Sequence, residues 1–413
     1  MFLGDRMQKI EILKLDHNGR GIGKLNEKTI FVTNALPGEV VTVKNIVDKK
    51  RYMEADVDEI IEKSNLRVKP ICPYFYECGG CDLMHLKYDE QKKYKENKVK
   101  DIIKRFSDID ESVVKKLKSF NELEYRNKVT FHVKETCGFY KKKSYEIVNM
   151  DKCFLISNKM NEIFNIVKKE LPLEFISTFV IRESKKTNEV MLIFTLKNNF
   201  KIDDYLDNLK EKVTSIYTYF NGVYNCIFGK SYLHEQLQNF TFEVSPSAFF
   251  QVNTIVAEKM YLQALNYLNP SKEDNLLDLY CGTGTIGITI SPYVSKVIGV
   301  EINSEAIKDA NRNKDNNGVN NVTFYASKVS DIIDEVKGAL VIVDPPRAGL
   351  DKKTISEIKK MKPKKLVYIS CDPMTLVRDL KDLTTDFELV EITPFDMFPQ
   401  TSHVECVCIL KIK

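Results

Sequence analysis

The chain has 413 residues, 43% hydrophobic and 29% charged, with 62 Lys and Arg against 58 Asp and Glu for a formal net charge of +4. That length accommodates two or three domains of roughly 100–200 residues each, and no window reaches the roughly 20 uninterrupted apolar residues of a membrane helix. With no signal-peptide core at its start, the protein is expected in the cytoplasm, without a membrane or an obligate protein partner, and its ten cysteines point to metal binding or catalysis rather than disulfides.

Residues 1–62 read as short strands: "QKIEILKL", "HNGRGIGKL", "TIFVTNALPGEVVTVKNIV" and "MEADVDEII". Gly19, Gly21, Gly23 and the Pro37-Gly38 pair punctuate them with tight turns. The pattern predicts a small β-barrel, either of the oligonucleotide-binding kind or a generic β module.

Residues 63–244 mix helices and strands and read as an α+β domain. It begins with "CPYFYECGGCDLMHL", which sets Cys72, Cys78 and Cys81 at C-x5-C-x2-C spacing around Gly79 and Gly80. Three thiols so close look like metal ligands, and the spacing leaves zinc and an iron–sulfur cluster both open, with a remote fourth ligand. A helix is expected from Asp89 to Phe106; its lysine-rich mixed-charge run reads as a solvated face. The strands "KVTFHV", "TFVIRES" and "EVMLIFTL" follow.

Residues 245–413 switch to strand–helix alternation, which predicts a doubly wound sheet with ligands at the carboxyl ends of its strands. In "NLLDLYCGTGTIGITIS" the glycines at 282, 284 and 287 lie between a strand and a helix, after Asp278. Glu301 ends the next strand, where a carboxylate can accept both ribose hydroxyls. The loop resembles the S-adenosylmethionine loop of class I methyltransferases, with the adenosine ribose on Glu301 and the methionine end near Tyr280 and Thr285. A nicotinamide site is the rival for the loop alone.

Three later strands end in chemically capable residues: Asp344 in "ALVIVDPPR", Cys371 in "KLVYISCDP" and Glu405 in "QTSHVECVCIL". Buried cysteines are commonly inert core, but this one stands where the fold builds its site. A thiolate adding to C6 of uracil makes C5 nucleophilic enough to take a methyl group, after which a base must remove the C5 proton. One Cys and one carboxylate on one face of a pyrimidine suit that reaction. Arg347, where amino-directed methyltransferases place an aromatic residue, opposes adenine-amine chemistry.

"FFQVNT", "LDLYCGTGTIG", "VEIN", "DPPRAGL", "YISCDPMTLVRDL" and "DMFPQTSHVECV" together resemble, in order, the motifs of the bacterial RNA uracil-5-methyltransferases. The resemblance implies Cys371 as nucleophile, Glu405 as proton acceptor, and S-adenosylmethionine contacts from Gln251, Tyr280, Thr285, Glu301 and Asp344. Lys328 departs from an Asn that some members carry beside the adenine. It also implies a TRAM-type RNA-binding barrel over 1–62. For the cysteines it implies a [4Fe-4S] cluster on Cys72, Cys78, Cys81 and Cys153, with Cys137 as rival fourth ligand. RNA is the expected partner, 23S rRNA foremost and tRNA the alternative. Arg126, Lys128 and Lys141 to Lys143 are candidate contacts, and Phe249 is a candidate stacking residue or core filler.

Overall fold

The computed structural model describes residues 9–333 and 338–413. Near the N-terminus, Ile10–Glu11, Val40–Asp48, Tyr52–Glu62, Lys28–Thr33, Gly21–Leu25 and Lys14–Leu15 pair in that order into a six-stranded sheet. Alternating inward residues such as Ile30 and Val32 build its core, as a half-buried pleat requires. Tyr94 Oη donates to Asp16 O at 2.8 Å, and Arg67 bridges to Glu39, joining this sheet to the α+β region.

The second sheet runs Val223–Gly229, Ser215–Phe220, Glu189–Leu196, Ile176–Ser184, Lys128–Val133 and Cys137–Gly138. Glu189–Leu196 is covered on both faces. Val190, Leu192 and Phe194 enter the core under the helix Asn158–Glu170, while Met191 and Ile193 enter the C-terminal core. This continuous "VMLIF" run is what double coverage looks like in sequence.

The C-terminal sheet has seven strands: β1 (Asn275–Leu279), β2 (Lys296–Glu301), β3 (Val322–Ala326), β4 (Leu340–Val343), β5 (Lys365–Ser370), β6 (Phe387–Phe395) and β7 (Glu405–Ile412). They lie in the order β3-β2-β1-β4-β5-β7-β6. The first five run parallel, whereas β7 inserts antiparallel between β5 and β6. The expected doubly wound α/β fold, preceded by a small β-sheet and an α+β region, is therefore present. No helix among the described residues is long and apolar enough to cross a membrane.

Packing crosses the boundary expected at residue 245. The hairpin Leu233–Leu237/Phe240–Val244 puts Leu233, Phe242 and Val244 in the same core as Leu276 and Ile288. The helix Tyr88–Phe106 packs Val99, Ile102 and Ile103 against Tyr368, Leu380 and Leu410. Its lysine-rich run is also not wholly solvated. Gln91 and Lys95 fall on the same stripe as Val99 and Ile103, and Lys95 is fully buried, with Nζ 2.5 Å from Asp396 Oδ1. A buried cation is tolerated there because the carboxylate and the Phe398 carbonyl satisfy it.

Candidate active site

β1, β2, β4 and β5 bring the residues at their carboxyl ends to one edge of the sheet, and Glu405, expected at a strand end, instead begins β7, whose antiparallel direction carries it to the same edge. After β1 the chain turns through Tyr280 at φ 65° and Gly284 at φ 79°. A Cβ on Gly284 would lie 2.6 Å from the Phe324 ring, so both space and backbone angle require glycine. Asp278 Oδ2 accepts from Gly287 N at 2.8 Å and fastens the loop to β1. Its Oδ1 is buried without a hydrogen-bond partner among the described residues, an open acceptor at the base of the loop. Burial, with the charges of Asp344 and Glu301, pushes the Asp278 carboxyl up to about 7.

Glu301 ends β2 and accepts from Gly282 N at 3.3 Å and Asn303 N at 2.9 Å, leaving further lone pairs for two hydroxyls. Lys328 is exposed just past β3, next to Ser327, whose N–H donates to Glu301 O. Thr285 opens the helix after the loop, and the Tyr280 ring packs into the core beside Thr354. Gln251 lies on a segment held by Asn127, whose Nδ2 donates to Gln251 O at 3.0 Å, and by buried Arg182, which donates to Ala248 O at 2.7 Å. Phe249 on that segment is 68% exposed, so the core reading is set aside and the ring is available to stack. Sequence reasoning missed Tyr261, which reaches Asp344, Thr285 and Gln251 from the helix Thr254–Leu268. It sits among helix core residues, and nothing in the string marks it.

Cys371 and Glu405 meet across the sheet. Ser370 pairs with Cys406 in the β5–β7 ladder, so the next step outward sets Cys371 against Glu405. Glu405 is buried, and desolvation together with Asp344 pushes its carboxyl up to about 8 despite Arg347. The half-buried Cys371 thiol rises to about 11 through burial, Glu405 and Asp344, again opposed by Arg347. Burial alone lifts Asp344 to about 7. Three acids and a thiol crowd one water-poor edge, with Arg347 as the cation that acts on both Cys371 and Glu405.

Cys72, Cys78, Cys81 and Cys153 all wall one cavity of about 360 Å³. Cys137 does not line it; it is buried in the core of the second sheet. The remaining lining is mainly apolar (Phe75, Met84, Phe139 and Leu155 among it), joined by Arg126 and Lys128. Among the described residues no group of three or more Cys, His, Asp or Glu is drawn tightly enough to hold a single metal ion.

Arg126 and Lys128, expected at an RNA surface, are thus half-buried beside the thiols, and burial lowers Lys128 to about 8. Lys141 to Lys143 instead line a separate groove of about 570 Å³ with Arg20, Asn34 and Tyr140, where the N-terminal sheet meets the second sheet.

Residues 87–413 match the family model for tRNA (uracil-5-)-methyltransferases, and residues 6–57 match the TRAM domain. An uncharacterized RNA methyltransferase of Staphylococcus epidermidis is 36% identical, with 97% of this chain and 96% of that protein covered. Another, from Clostridium acetobutylicum, is also 36% identical, with 95% and 94% covered. The crystal structure of Pyrococcus abyssi tRNA (uracil-54, C5)-methyltransferase with S-adenosyl-L-homocysteine superposes with a TM-score of 0.81 at 30% identity, covering 98% of this chain and all of that one.

Proposed function

From the premise that the chain belongs to the RNA (uracil-5-)-methyltransferase family, we propose that it methylates C5 of a uridine in RNA through a covalent adduct on Cys371. The observation that carries this reading is the Cys371–Glu405 pair at adjoining strand ends, on the edge that bears the glycine loop.

S-adenosylmethionine, held by Glu301, Asp278, Gln251, Thr285, Asp344 and the backbone at Tyr280, supplies an electrophilic methyl group. Cys371 Sγ adds as thiolate to uracil C6, and the electron pair of the C5=C6 bond shifts onto C5 and O4. C5 would then take the methyl group as the S–CH3 bond breaks with its electron pair leaving on sulfur, as S-adenosylhomocysteine. Glu405 accepts the C5 proton, the C–H electron pair restores C5=C6, and the C6–Sγ bond breaks to return the thiolate. A carboxylate whose burial raises it to about 8 is a stronger base than an exposed one.

The uridine must leave its stack to reach this edge, which favours a loop; Phe249 supplies a ring for it and the Arg20–Lys141–Lys143 groove a path for phosphates. Cys72, Cys78, Cys81 and Cys153 hold a [4Fe-4S] cluster in this reading, in a structural role, since methyl transfer requires no electron.

We infer 23S rRNA as the target from the resemblance alone, because the transfer-RNA branch of the family generally lacks the N-terminal barrel and the cysteine cluster. The similarity to a tRNA enzyme along 98% of this chain favours a tRNA uridine as the second reading, because that match runs through the N-terminal sheet as well. Mapping 5-methyluridine by mass spectrometry across ribosomal and transfer RNA, with and without this protein, decides between them. Loss of the mark from neither, or loss of a methyladenosine instead, refutes uracil-5 methylation.

A further inference from the structure

The segment Asp396–Val404 joins β6 to β7 and ends on Glu405. It is fastened to the cysteine loop. Asp82, next to Cys81, accepts through Oδ2 from both Ser402 N (3.1 Å) and Ser402 Oγ (3.2 Å). Asp82 N and Leu83 N both donate to Gln400 O at 3.0 Å. Gln400 itself sits at φ 69°, a left-handed conformation that a non-glycine residue keeps only when its surroundings impose it. Gln91 imposes it from the helix Tyr88–Phe106: its Nε2 donates to Gln400 Oε1 at 2.9 Å, and its Oε1 accepts from Gln400 N at 3.2 Å. The same Nε2 also donates to Leu83 O and Leu86 O, so one amide clamps both segments. Tyr125 Oη donates to Pro399 O, and Phe398 packs against the same small core of Phe75, Met84, Tyr125 and Leu155 that Cys72, Cys81 and Cys153 pack against.

Cys371 is held by different means. Ser370 Oγ and Asp372, which caps the helix Pro373–Leu383 through Met374 N and Thr375 N, fix the end of β5 through local hydrogen bonds, with none from the cysteine loop among the described residues. Beyond the β5–β7 ladder that both share, the two groups are therefore held by different side chains.

Resting on the roles of Cys371 and Glu405 given above, we propose that the cysteine loop is a brace for the base-bearing segment, with Asp82, Gln91 and Gln400 as positioning residues for adduct release. Loosening the brace displaces the Glu405 carboxylate from the C5 proton but leaves Cys371 able to attack. The covalent intermediate then accumulates. A displacement near 1 Å costs about 100-fold in a proton transfer of this kind.

The test uses full-length protein prepared without oxygen, S-adenosylmethionine, and unmodified 23S rRNA and tRNA transcripts. Asp82→Ala and Gln91→Leu are each measured for S-adenosylhomocysteine affinity, RNA–protein adduct on denaturing gels, and turnover. The expected result is turnover lowered roughly 10- to 100-fold, adduct raised several-fold, affinity unchanged, and turnover restored in Asp82→Asn, which keeps an oxygen acceptor for Ser402. Unchanged turnover overturns the proposal, as does adduct falling in step with turnover, or an Asp82→Asn protein as slow as Asp82→Ala. Should Asp82→Ala not fold, Ser402→Ala removes one of the same bonds from the other side and is judged by the same readings. Glu405→Gln protein that forms no adduct overturns the Cys371 reading as well, whereas a Glu405→Gln adduct alongside unaltered Asp82 and Gln91 variants overturns the brace alone.

Discussion

Cys371 lies one residue beyond Ser370, and Glu405 one residue before Cys406, its antiparallel partner in the β5–β7 ladder. The pairing is possible because β7 enters antiparallel between β5 and β6. A parallel β7 would bring its starting residues to the opposite edge. The reversal at the end of the sheet thus brings a residue from the beginning of one strand to the end of another.

Replacing the nucleophile separates chemistry from binding. Cys371→Ala is expected to lower methylation by more than about a thousandfold while S-adenosylhomocysteine still binds, because the glycine loop and Glu301 are untouched. Calorimetry alongside a methyl-transfer assay checks this. Activity near wild type would exclude a covalent route.

The cation at the edge sets the pH at which the pair works. Burial and neighbouring carboxyls raise Cys371 to about 11 and Glu405 to about 8, and Arg347 pulls both down. The attacking form is the thiolate and the accepting form is the carboxylate, so both steps speed up as pH rises. Arg347→Ala should move the rise in adduct formation to higher pH, each unit of displacement costing tenfold in thiolate at a fixed pH below it. Superimposable single-turnover pH profiles would show that Arg347 plays no such part.

In the proposed methyl-donor site, Glu301 at the end of β2 is the carboxylate assigned to the ribose hydroxyls. Glu301→Ala removes a charged acceptor and the support of Gly282 N. At about 1.5–3 kcal/mol for a charged hydrogen bond, S-adenosylhomocysteine affinity should fall roughly 10- to 150-fold. Titration calorimetry reads this directly, and an unchanged affinity would place the ribose elsewhere.

Much of this was legible in the string, for local reasons. The strand Lys365–Ser370 and the loop at Gly282 and Gly284 announce themselves through β-branched runs and glycine spacing, which depend on few neighbours. Lys95 was not legible: a lysine in "KKYKENKVK" looks solvated, and only Asp396, some 300 residues away, explains its burial. Position 95 does share a helical stripe with Val99 and Ile103, a signal available in the periodicity. The clamp of Gln91 on Gln400 and the placement of Tyr261 are likewise products of long-range packing, to which short patterns are blind.

The cavity separates Cys153, which the family resemblance implied as the fourth ligand, from its rival Cys137. Cys153 lines the cavity with Cys72, Cys78 and Cys81, whereas Cys137 is core. In protein purified without oxygen, Cys153→Ser should lose most bound iron and acid-labile sulfide, and Cys137→Ser should keep them. The reverse ranking, or zinc in place of iron in the wild type, would refute the cluster assignment.

The most direct test of the covalent account is the Glu405→Gln protein incubated with S-adenosylmethionine and an RNA substrate. Without a proton acceptor the methylated adduct cannot resolve, so a denaturing gel should show an RNA–protein band. Peptide mass spectrometry should place a 5-methyluridine adduct on Cys371. Free 5-methyluridine at the wild-type rate with no such band, or an adduct on any other residue, would contradict it.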